Sequence, residues 1–489
     1  MSNRFLLALL CCLSWHTSVA VAQSTISAVS PTSVKPGNSK LIFSGKELKD
    51  AVQVHASRAD AVLKVEKIEP TQATLDLTLP AEGAFGTLGP FGLWSSAGEG
   101  PGGPFPIIVD DLPTVADNGA NHTRETAQVI SALNAVDGVG DGAVSDFYRF
   151  SVAAGQRVAI EVHTQHLGSK LDPVVRLTDA SGKVLVLADD NLIGPECKFS
   201  HTFAVAGEVT LEIRDNKFAP GGAYHLRIGD FPIVTGTVPA ALKRGTAVKI
   251  GFAGTDGAAV TSFDVAVPEA WADDVAYVSV KLPGGASSAW VPVLISDQAV
   301  IAKPLDGSPV ADAIPLPVTI SGRLADAKQH DSFKLRGTKG QVVRFAARTR
   351  CIGSPAALMM QLFNAQNAKI AETAVNESDE WSFDATFPDD GEYRLEVFDL
   401  LQRGGPEFTY CVEARPAGSV SLALKADAAG KDAFIIEPET ARAAVIDVLV
   451  QRFGYDGPLQ LACEPNTGLK ILNANDTCGS QGSSHHDCN

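Results

Sequence analysis

One stretch of this 489-residue chain, present in two copies, indicates its fold. The first copy reads Asp146-Phe-Tyr-Arg-Phe-Ser-Val-Ala-Ala-Gly155-Gln-Arg-Val-Ala-Ile160. The second reads Asp331-Ser-Phe-Lys-Leu-Arg-Gly-Thr-Lys-Gly340-Gln-Val-Val-Arg-Phe345, without a gap and 185 residues later (331 − 146 = 185). A further block, Val209-Thr-Leu-Glu-Ile-Arg-Asp215, recurs as Tyr393-Arg-Leu-Glu-Val-Phe-Asp399. One structural unit has therefore been duplicated.

Each copy predicts a series of β-strands. Val158, Ile160 and Val162 alternate with polar or small residues, and this period of two places one face in a core and the other in solvent. Gly155 supplies the backbone freedom of the turn before them. In the first copy, strands are predicted at residues 147–152, 157–164, 174–178, 184–188, 201–205, 209–214 and 223–228. Short strands separated by turn residues are typical of antiparallel β-sandwiches, so we predict an all-β protein of tandem antiparallel β-sandwiches.

The first 22 residues have the pattern of a cleavable signal peptide. Arg4 precedes an apolar run at residues 5–13, and small residues end at Ala20-Val-Ala22. The run is too short to cross a bilayer, which needs about 20 apolar residues. A buried first helix is disfavoured because the run lacks polar positions at helical spacing. With no later apolar segment to anchor the mature chain, we expect a secreted or cell-envelope protein, at the periplasm or cell surface.

Charge and cysteine content exclude some functions. The formal net charge is −16 and no basic stripe is present, which argues against nucleic acid as a partner. Six cysteines follow the signal segment, too few and too widely spaced for a disulfide scaffold. Cys351 could pair with Cys411, and Cys463 with Cys478. Isolated buried thiols are an equal alternative.

The repeated unit resembles the bacterial pre-peptidase C-terminal domain. The resemblance rests on Asp146-x-Tyr148-x-Phe150, Gly155-Gln156, Leu167-Gly-Ser169, Leu171-Asp172-Pro173, Ala188-Asp-Asp190 and Tyr224-x-Leu226-x-Ile228. It covers residues 113–230 strongly and residues 312–416 more weakly, because Pro355-Ala-Ala-Leu358 replaces the Leu-Asp-Pro motif there. This family is a jelly-roll-like β-sandwich module, carried C-terminal to secreted proteases and collagenases and strung in arrays on exported proteins.

The flanking segments complete the expected domain organisation. Residues 24–110 resemble an immunoglobulin-like, TIG-type module, and the whole arrangement resembles large exported proteins of planctomycete-type bacteria. A β-sandwich linker module is expected at residues 235–303, a partial immunoglobulin-like module at 419–475, and a disordered tail at 476–489. Such relatives often continue through more strands, so a truncated reading frame is one expectation for this chain.

Two acidic segments are candidates for calcium binding. The first, rich in glycine and read as a loop, contains Asp137, Asp141 and Asp146, and a second turn contains Asp189 and Asp190. Calcium takes about six to eight oxygen ligands from flexible loops, and the resemblance adds that some members of the family in collagenases bind it. The spacing is not that of an EF-hand, however, and Asp-Gly pairs form ordinary turns, so a solvated turn is the alternative at both places.

Other polar and aromatic residues favour structural roles. Asp146 and Asp331 precede equivalent strands, where capping of a turn through the local backbone is favoured. Tyr224 and Tyr410 are interpreted as half-buried strand aromatics. The tail cluster His485-His-Asp-Cys488 predicts adventitious metal affinity only.

The sequence indicates a protein that is not an enzyme. It contains no H-E-x-x-H motif of zinc proteases and no G-x-S-x-G nucleophile elbow. The leading hypothesis is an exported non-catalytic binding or scaffolding protein whose sandwiches contact an extracellular polymer, either protein or polysaccharide, or a surface protein. The alternatives are an accessory or truncated non-catalytic part of a secreted peptidase and a structural cell-surface component.

Overall fold

The computed structural model describes residues 25–48, 53–58, 60–97, 100–271, 273–304, 307–376, 380–417, 419–424 and 448–453. Throughout these ranges the protein is all-β, as predicted, and its helical content is limited to three short 3-10 turns at Gln165–Leu167, Gly257–Ala259 and Arg350–Ile352. No helix in the described ranges is sufficiently long and apolar to span a membrane. The predicted signal peptide, the tail and most of segment 419–475 lie outside the described residues.

The N-terminal segment forms two facing four-stranded sheets, in the orders β1-β3-β6-β5 and β2-β8-β7-β4. Its strands are β1 (Thr25–Ser30), β2 (Ser33–Val34), β3 (Asn38–Lys46), β4 (Gln53–Ala56), β5 (Val62–Glu69), β6 (Gln72–Thr78), β7 (Gly89–Ala97) and β8 (Gly100–Val109). Alternating side chains such as Leu41, Phe43, Leu75 and Leu77 fill the space between the sheets.

The first repeated unit is a sandwich of two five-stranded sheets, in the orders β10-β12-β17-β14-β15 and β16-β13-β18-β11-β9. Its strands are β9 (Thr114–Ala116), β10 (Gln128–Val129), β11 (Asn134–Asp141), β12 (Asp146–Val152), β13 (Arg157–His163), β14 (Pro173–Asp179), β15 (Val184–Ala188), β16 (Lys198–Thr202), β17 (Gly207–Asp215) and β18 (Pro220–Gly229). The edge strand β9 pairs in parallel with β11, and the edge strand β10 pairs in parallel with β12. The remaining pairs are antiparallel.

A smaller segment follows, with the three-stranded sheets β19-β21-β22 and β20-β24-β23. Its strands are β19 (Gly236–Val238), β20 (Ala241–Lys243), β21 (Ala247–Ala253), β22 (Phe263–Ala266), β23 (Val275–Val280) and β24 (Ala289–Ser296). Its buried cluster takes in Leu112, Ala135 and Ala159 from the preceding part of the chain. The core of this middle segment is therefore continuous with its neighbour.

The second repeated unit has the same strand order as the first, in the sheets β26-β28-β33-β30-β31 and β25-β27-β34-β29-β32. Its strands are β25 (Ala299–Ala302), β26 (Ile314–Pro315), β27 (Val318–Arg323), β28 (His330–Gly337), β29 (Val342–Arg348), β30 (Leu358–Phe363), β31 (Lys369–Glu372), β32 (Ser382–Thr386), β33 (Gly391–Asp399) and β34 (Thr409–Pro416). Strand β25, which the sequence division assigned to the 235–303 module, pairs with β27 of this unit. The antiparallel pair β35 (Ser419–Leu424) and β36 (Val448–Phe453) follows.

Two sequence-based expectations need correction, and for Cys351 and Cys411 the structure has the second of the two alternatives left open, free thiols. The Gly-rich segment read as a loop is the strand Asn134–Asp141, because its backbone pairs with β18 along almost its whole length. The strand expected at 201–205 lies at Lys198–Thr202, opposite β13. Cys351 and Cys411 pack in one cluster but are free thiols, as is Cys197.

Candidate functional site

Asp141 and Asp146, two of the predicted calcium ligands, lie together with His122 where β11 ends and β12 begins. The His122 ring nitrogens lie 3.6 Å from a carboxylate oxygen of Asp141 and 3.6 Å from Oδ1 of Asp146. Within the described residues, the buried Oδ1 atoms of Asp146 and of the neighbouring Asn121 have no hydrogen-bond donor. Buried acceptors normally have a donor or an ion, so these orphaned oxygens fit an oxygen-seeking cation such as calcium.

A chain of four oxygen atoms leads from this cluster into the core of the unit. The Tyr224 hydroxyl donates to Asp146 (2.7 Å), and the Tyr148 hydroxyl donates to Asp117 (2.9 Å). The two hydroxyl oxygens lie 2.5 Å apart. The three contacts along this chain of oxygen atoms need three hydrogens, and the two tyrosine hydroxyl groups supply only two. A proton on Asp146 would supply the third hydrogen. Burial raises the pKa of Asp146 to about 6. The hydrogen bond from Tyr224 opposes this shift, whereas the charges of Asp117 and Asp141 add to it.

The second unit fills the equivalent place with a cation of its own. Asp331 accepts from the Tyr410 hydroxyl (2.5 Å) and the Gln329 side-chain amide (2.7 Å), and its other contact is the Lys303 ammonium group. Lys303 follows β25 as Asp117 follows β9, and Phe333 replaces Tyr148. The first unit thus has an acidic residue where the second has a lysine, which favours an external cation in the first unit only.

These contacts correct two interpretations from the sequence. Asp146 and Asp331 accept hydrogen bonds from tyrosines of the opposite sheet instead of capping a local turn. Tyr224 and Tyr410 are fully buried, not half-buried. The sequence analysis also missed Asp117, because Asp117 lies outside the repeated blocks and the offset of 185 places Ala302, not Lys303, opposite it.

Asp189 and Asp190 form a separate group with Asp172 of the Leu-Asp-Pro motif. Both are exposed, whereas Oδ1 of Asp172 is buried and has no hydrogen-bond partner among the described residues. The Asp172 Oδ2 atom accepts from Asn216 at 3.4 Å. This group is more open to solvent than the Asp146 cluster, so a bound cation would keep several waters.

Asp137 belongs to neither group, which corrects the expectation that it shares one loop with Asp141 and Asp146. Its carboxylate accepts from Ser33 of the N-terminal segment (2.7 Å) and lies 2.7 Å from Nδ1 of His225. A register shift between Gly140 and Asp141 breaks the regular alternation of β11. Since one residue of slip exchanges the two faces of a strand, the bulge separates Asp141 from Asp137.

A fully buried arginine, which the sequence did not reveal, joins three segments of the chain. Arg227 binds Asp110 through two hydrogen bonds (2.7 and 3.0 Å), Glu161 through one (2.8 Å) and the Ser288 carbonyl oxygen through another (2.6 Å). Its guanidinium group also stacks on Phe231. These partners come from the end of the N-terminal sandwich, from the first unit and from the middle segment.

The protonation states of this cluster follow from its charges. Burial alone would raise the pKa of Asp110, but Arg227 and His225 hold it well below its usual range. Burial would lower the pKa of His225, but the hydrogen bonds to Asp110 and Asp137 raise it. The cluster is therefore a set of paired charges, which is the condition under which buried charges are tolerated.

No family model matches the chain, and no curated protein matches it. Among solved structures, the pre-peptidase C-terminal domain of a collagenase from Bacillus anthracis is 20% identical and covers 21% of this chain and 92% of that domain, with a TM-score of 0.18. SGBP-B of the Bacteroides ovatus mixed-linkage glucan utilization locus is 11% identical over 80% of this chain and 75% of that one, with a TM-score of 0.15.

A third similar structure is the M60 catalytic domain with the CBM51-1 and CBM51-2 domains of Clostridium perfringens ZmpB. It is 10% identical and covers 81% of this chain, whereas this chain spans 55% of its length, with a TM-score of 0.15. TM-scores this low assign neither a ligand nor an activity to this protein.

Proposed function

We propose that this chain is an exported, non-catalytic binding or scaffolding protein whose β-sandwiches contact an extracellular polymer, either protein or polysaccharide. The signal-peptide pattern of residues 1–22 supports export. The observation that carries the proposal is the buried Arg227 cluster, which connects two sandwiches and the middle segment by direct contacts.

Fixed spacing between sandwiches suits contact with a repetitive polymer. When two binding surfaces are held at a constant separation, the second contact on one polymer is intramolecular, and the overall affinity rises without any new type of contact. The second unit also contacts the first, since the partly exposed Arg350 of its 3-10 turn donates to the carbonyl oxygens of Leu192 and Ile193.

Two exposed apolar surfaces at opposite edges of one sheet are the contact sites we would test first. Beside β10, Val129 (76% exposed) and Leu133 (37%) line a shallow groove of about 360 Å³ that also contains Arg149 and Glu208. On the outer strand β15, Val184 and Leu187 are 47% and 66% exposed. Apolar groups exposed beside charged ones are common at protein-binding and ligand-binding surfaces.

The test is retention of the mature chain on insoluble polymers, namely collagen, cellulose and chitin. Two double variants serve as controls for each other: Val129→Ser with Leu133→Ser, and Val184→Ser with Leu187→Ser. We expect retention of the natural sequence on at least one polymer and its loss in one double variant, with unchanged melting temperatures because both pairs are exposed. Failure of the natural sequence to bind any of the polymers would count against polymer contact.

The cation site has its own role in this proposal. Calcium at Asp141 and Asp146 would neutralise a buried carboxylate and fix the β11–β12 connection, which lies at the same end of the first unit as Asp117 and Asn121. A second, weaker calcium position is proposed at Asp189 and Asp190 with Asp172. Neither site supplies a nucleophile or a general base in this proposal.

A further inference from the structure

A second cluster of metal-capable side chains lies on the other sheet of the first unit, outside the calcium candidates. His163 ends β13, His166 lies in the following 3-10 turn, and Glu196 lies just before β16. The Nδ1 atom of His163 is 3.8 Å from Oε2 of Glu196, and Nδ1 of His166 is 3.7 Å from Oε1 of the same carboxylate. The three ligand atoms all lie within 4.8 Å of one another.

The two histidines have unused hydrogen-bonding atoms. His163 is 3% exposed, yet neither of its ring nitrogens makes a hydrogen bond with the described residues, and the same holds for Nδ1 of His166. Buried imidazole nitrogens are rarely left in this state. Glu196 is fixed in place because its Oε1 accepts from the backbone N–H groups of Thr164 and Gln165, both at 2.8 Å.

The surroundings of His163 match those of a metal-bound histidine. Its Nε2 lies 3.4 Å from Glu161, a carboxylate that Arg227 and Lys198 hold from the other side at 2.8 Å each. Histidines that bind a metal through one nitrogen usually face a carboxylate or carbonyl with the other. Trp290 of the middle segment stacks on His163 at 4.5 Å between ring centroids and shields this face of the cluster.

At the equivalent position, the second unit has a positively charged side chain between two carboxylates. Its counterpart of Glu196 is Glu380, which accepts from the Thr349 backbone in the same way (2.8 Å). The counterpart of His163 is Arg348, whose guanidinium group lies between Glu380 (3.4 Å) and Glu413 (2.7 Å). A cation between carboxylates is therefore built into the second unit, whereas the first unit has two histidines there.

We propose that His163, His166 and Glu196 bind a transition-metal dication of the Zn²⁺ class at the contact between the first unit and the middle segment. Imidazole nitrogens favour such ions over calcium. Zinc–ligand bonds of about 2.0–2.2 Å place the ligand atoms of a tetrahedral site roughly 3.4 Å apart. Most of the distances between ligand atoms in this cluster therefore need to shorten by about 1 Å or less for the ion to bind. His166, with 31% of its side chain exposed, has the freedom to close and gives the ion a path of entry.

The experiment uses the mature chain with His485→Ala and His486→Ala, which removes the tail histidines as metal ligands. After chelation and dialysis, Co²⁺ is titrated and its visible absorption recorded, and Zn²⁺ is then added in competition and in thermal melts. We expect one equivalent of Co²⁺ to give the visible band of a low-coordinate nitrogen and oxygen site, Zn²⁺ to abolish the band, and Zn²⁺ to raise the melting temperature by several degrees.

His166→Gln is the decisive variant, because the side chain is partly exposed and its loss should leave the ion-free melting temperature nearly unchanged. We expect it to lose the Co²⁺ band and the Zn²⁺ stabilisation. The matched control His55→Gln, at an exposed histidine outside the cluster, should keep both. No band in the His485→Ala, His486→Ala parent, or an undiminished band in His166→Gln, would overturn the proposal.

Discussion

At the scale of single residues, Asp146 and Asp331 have the same position and tyrosine partner but differ in the cation beside them. Lys303 contacts Asp331, whereas Asp117 and Asp141 surround Asp146. We predict that calcium raises the melting temperature of the natural sequence relative to chelator, and that Asp146→Asn removes most of this difference, leaving the smaller part that the weaker position at Asp189 and Asp190 contributes. The measurement is a thermal melt at pH 7 with calcium or with chelator.

The matched control for that prediction is Asp331→Asn. This change leaves the Lys303 ammonium without its carboxylate and should lower the melting temperature. The calcium-dependent difference should remain, because among the described residues of the second unit a lysine, and not a group of carboxylates, lies beside Asp331. Equal melting temperatures of the natural sequence with calcium and with chelator would exclude the site.

Two glycines make room for the buried tyrosines. A Cβ atom at Gly138 would overlap the ring of Tyr224, and one at Gly322 would overlap Tyr410 in the second unit. We predict that Gly138→Ala and Gly322→Ala each cost about 1–3 kcal/mol of unfolding free energy, because overpacking a core displaces side chains and here also breaks the tyrosine–aspartate hydrogen bond. Urea denaturation measures the cost. Gly207→Ala, with nothing within 4 Å of the added atom, should be close to neutral.

At the scale of elements, one aspartate in each unit holds the loop after its central strand. Asp215 ends β17 and accepts backbone N–H groups of Asp172, Lys217 and Ala219. Asp399 ends β33 and accepts those of Ala357, Leu401 and Arg403, as well as the Arg403 side chain. Burial would raise the pKa of both carboxyls, but these donors hold it below the usual value.

A lowered pKa in the folded state predicts a stability that is lost in acid. In the unfolded chain the carboxyl has a pKa of about 3.9. The stabilisation is therefore complete above that pH and disappears as the pH falls towards the lower pKa of the folded state. We predict that Asp399→Asn lowers the unfolding free energy by about 1–3 kcal/mol at pH 7 and by much less at pH 3. Urea denaturation between pH 3 and pH 7 measures this. The exposed Asp264→Asn should give a curve parallel to that of the natural sequence.

Strands with clear alternation were predictable from the sequence, and others were not. Alternation located β12, β13, β14, β15, β17 and β18 to within a few residues. Strand β11 was missed because its four Asp and Gly residues are turn-formers, and its pairing with β18 is non-local and leaves no local pattern in the sequence. Strands β9 and β10, with three and two residues, are too short to show a period. Asp141 and Asp146 could be grouped because they are close in sequence, whereas Asp117 and Asn121 reach them only through the fold.

At the scale of the whole molecule, the segments are joined by contacts between residues far apart in sequence. Asp110 and Arg227 are separated by 117 positions, and no local pattern marks them as partners. Ser288 and Asp111, 177 positions apart, add a second link of 2.6 Å between hydroxyl and carboxylate. The sequence could therefore predict the all-β fold but not how its segments are fixed to one another, on which the proposed polymer contact depends.

Arg227→Met tests that connection directly. It leaves Asp110 and Glu161 buried without their shared cation, and breaking a buried ion pair by removing one partner costs about 3–5 kcal/mol. We predict a lower unfolding free energy, loss of a single cooperative transition in urea, and faster proteolysis near residues 110–113, where the N-terminal sandwich meets the first unit. Lys40→Met removes an exposed ion pair with Glu66 and should change none of these. If Arg227→Met behaved like Lys40→Met in both assays, the buried cluster would not be what fixes the sandwiches, and the avidity argument for polymer binding would lose its structural basis.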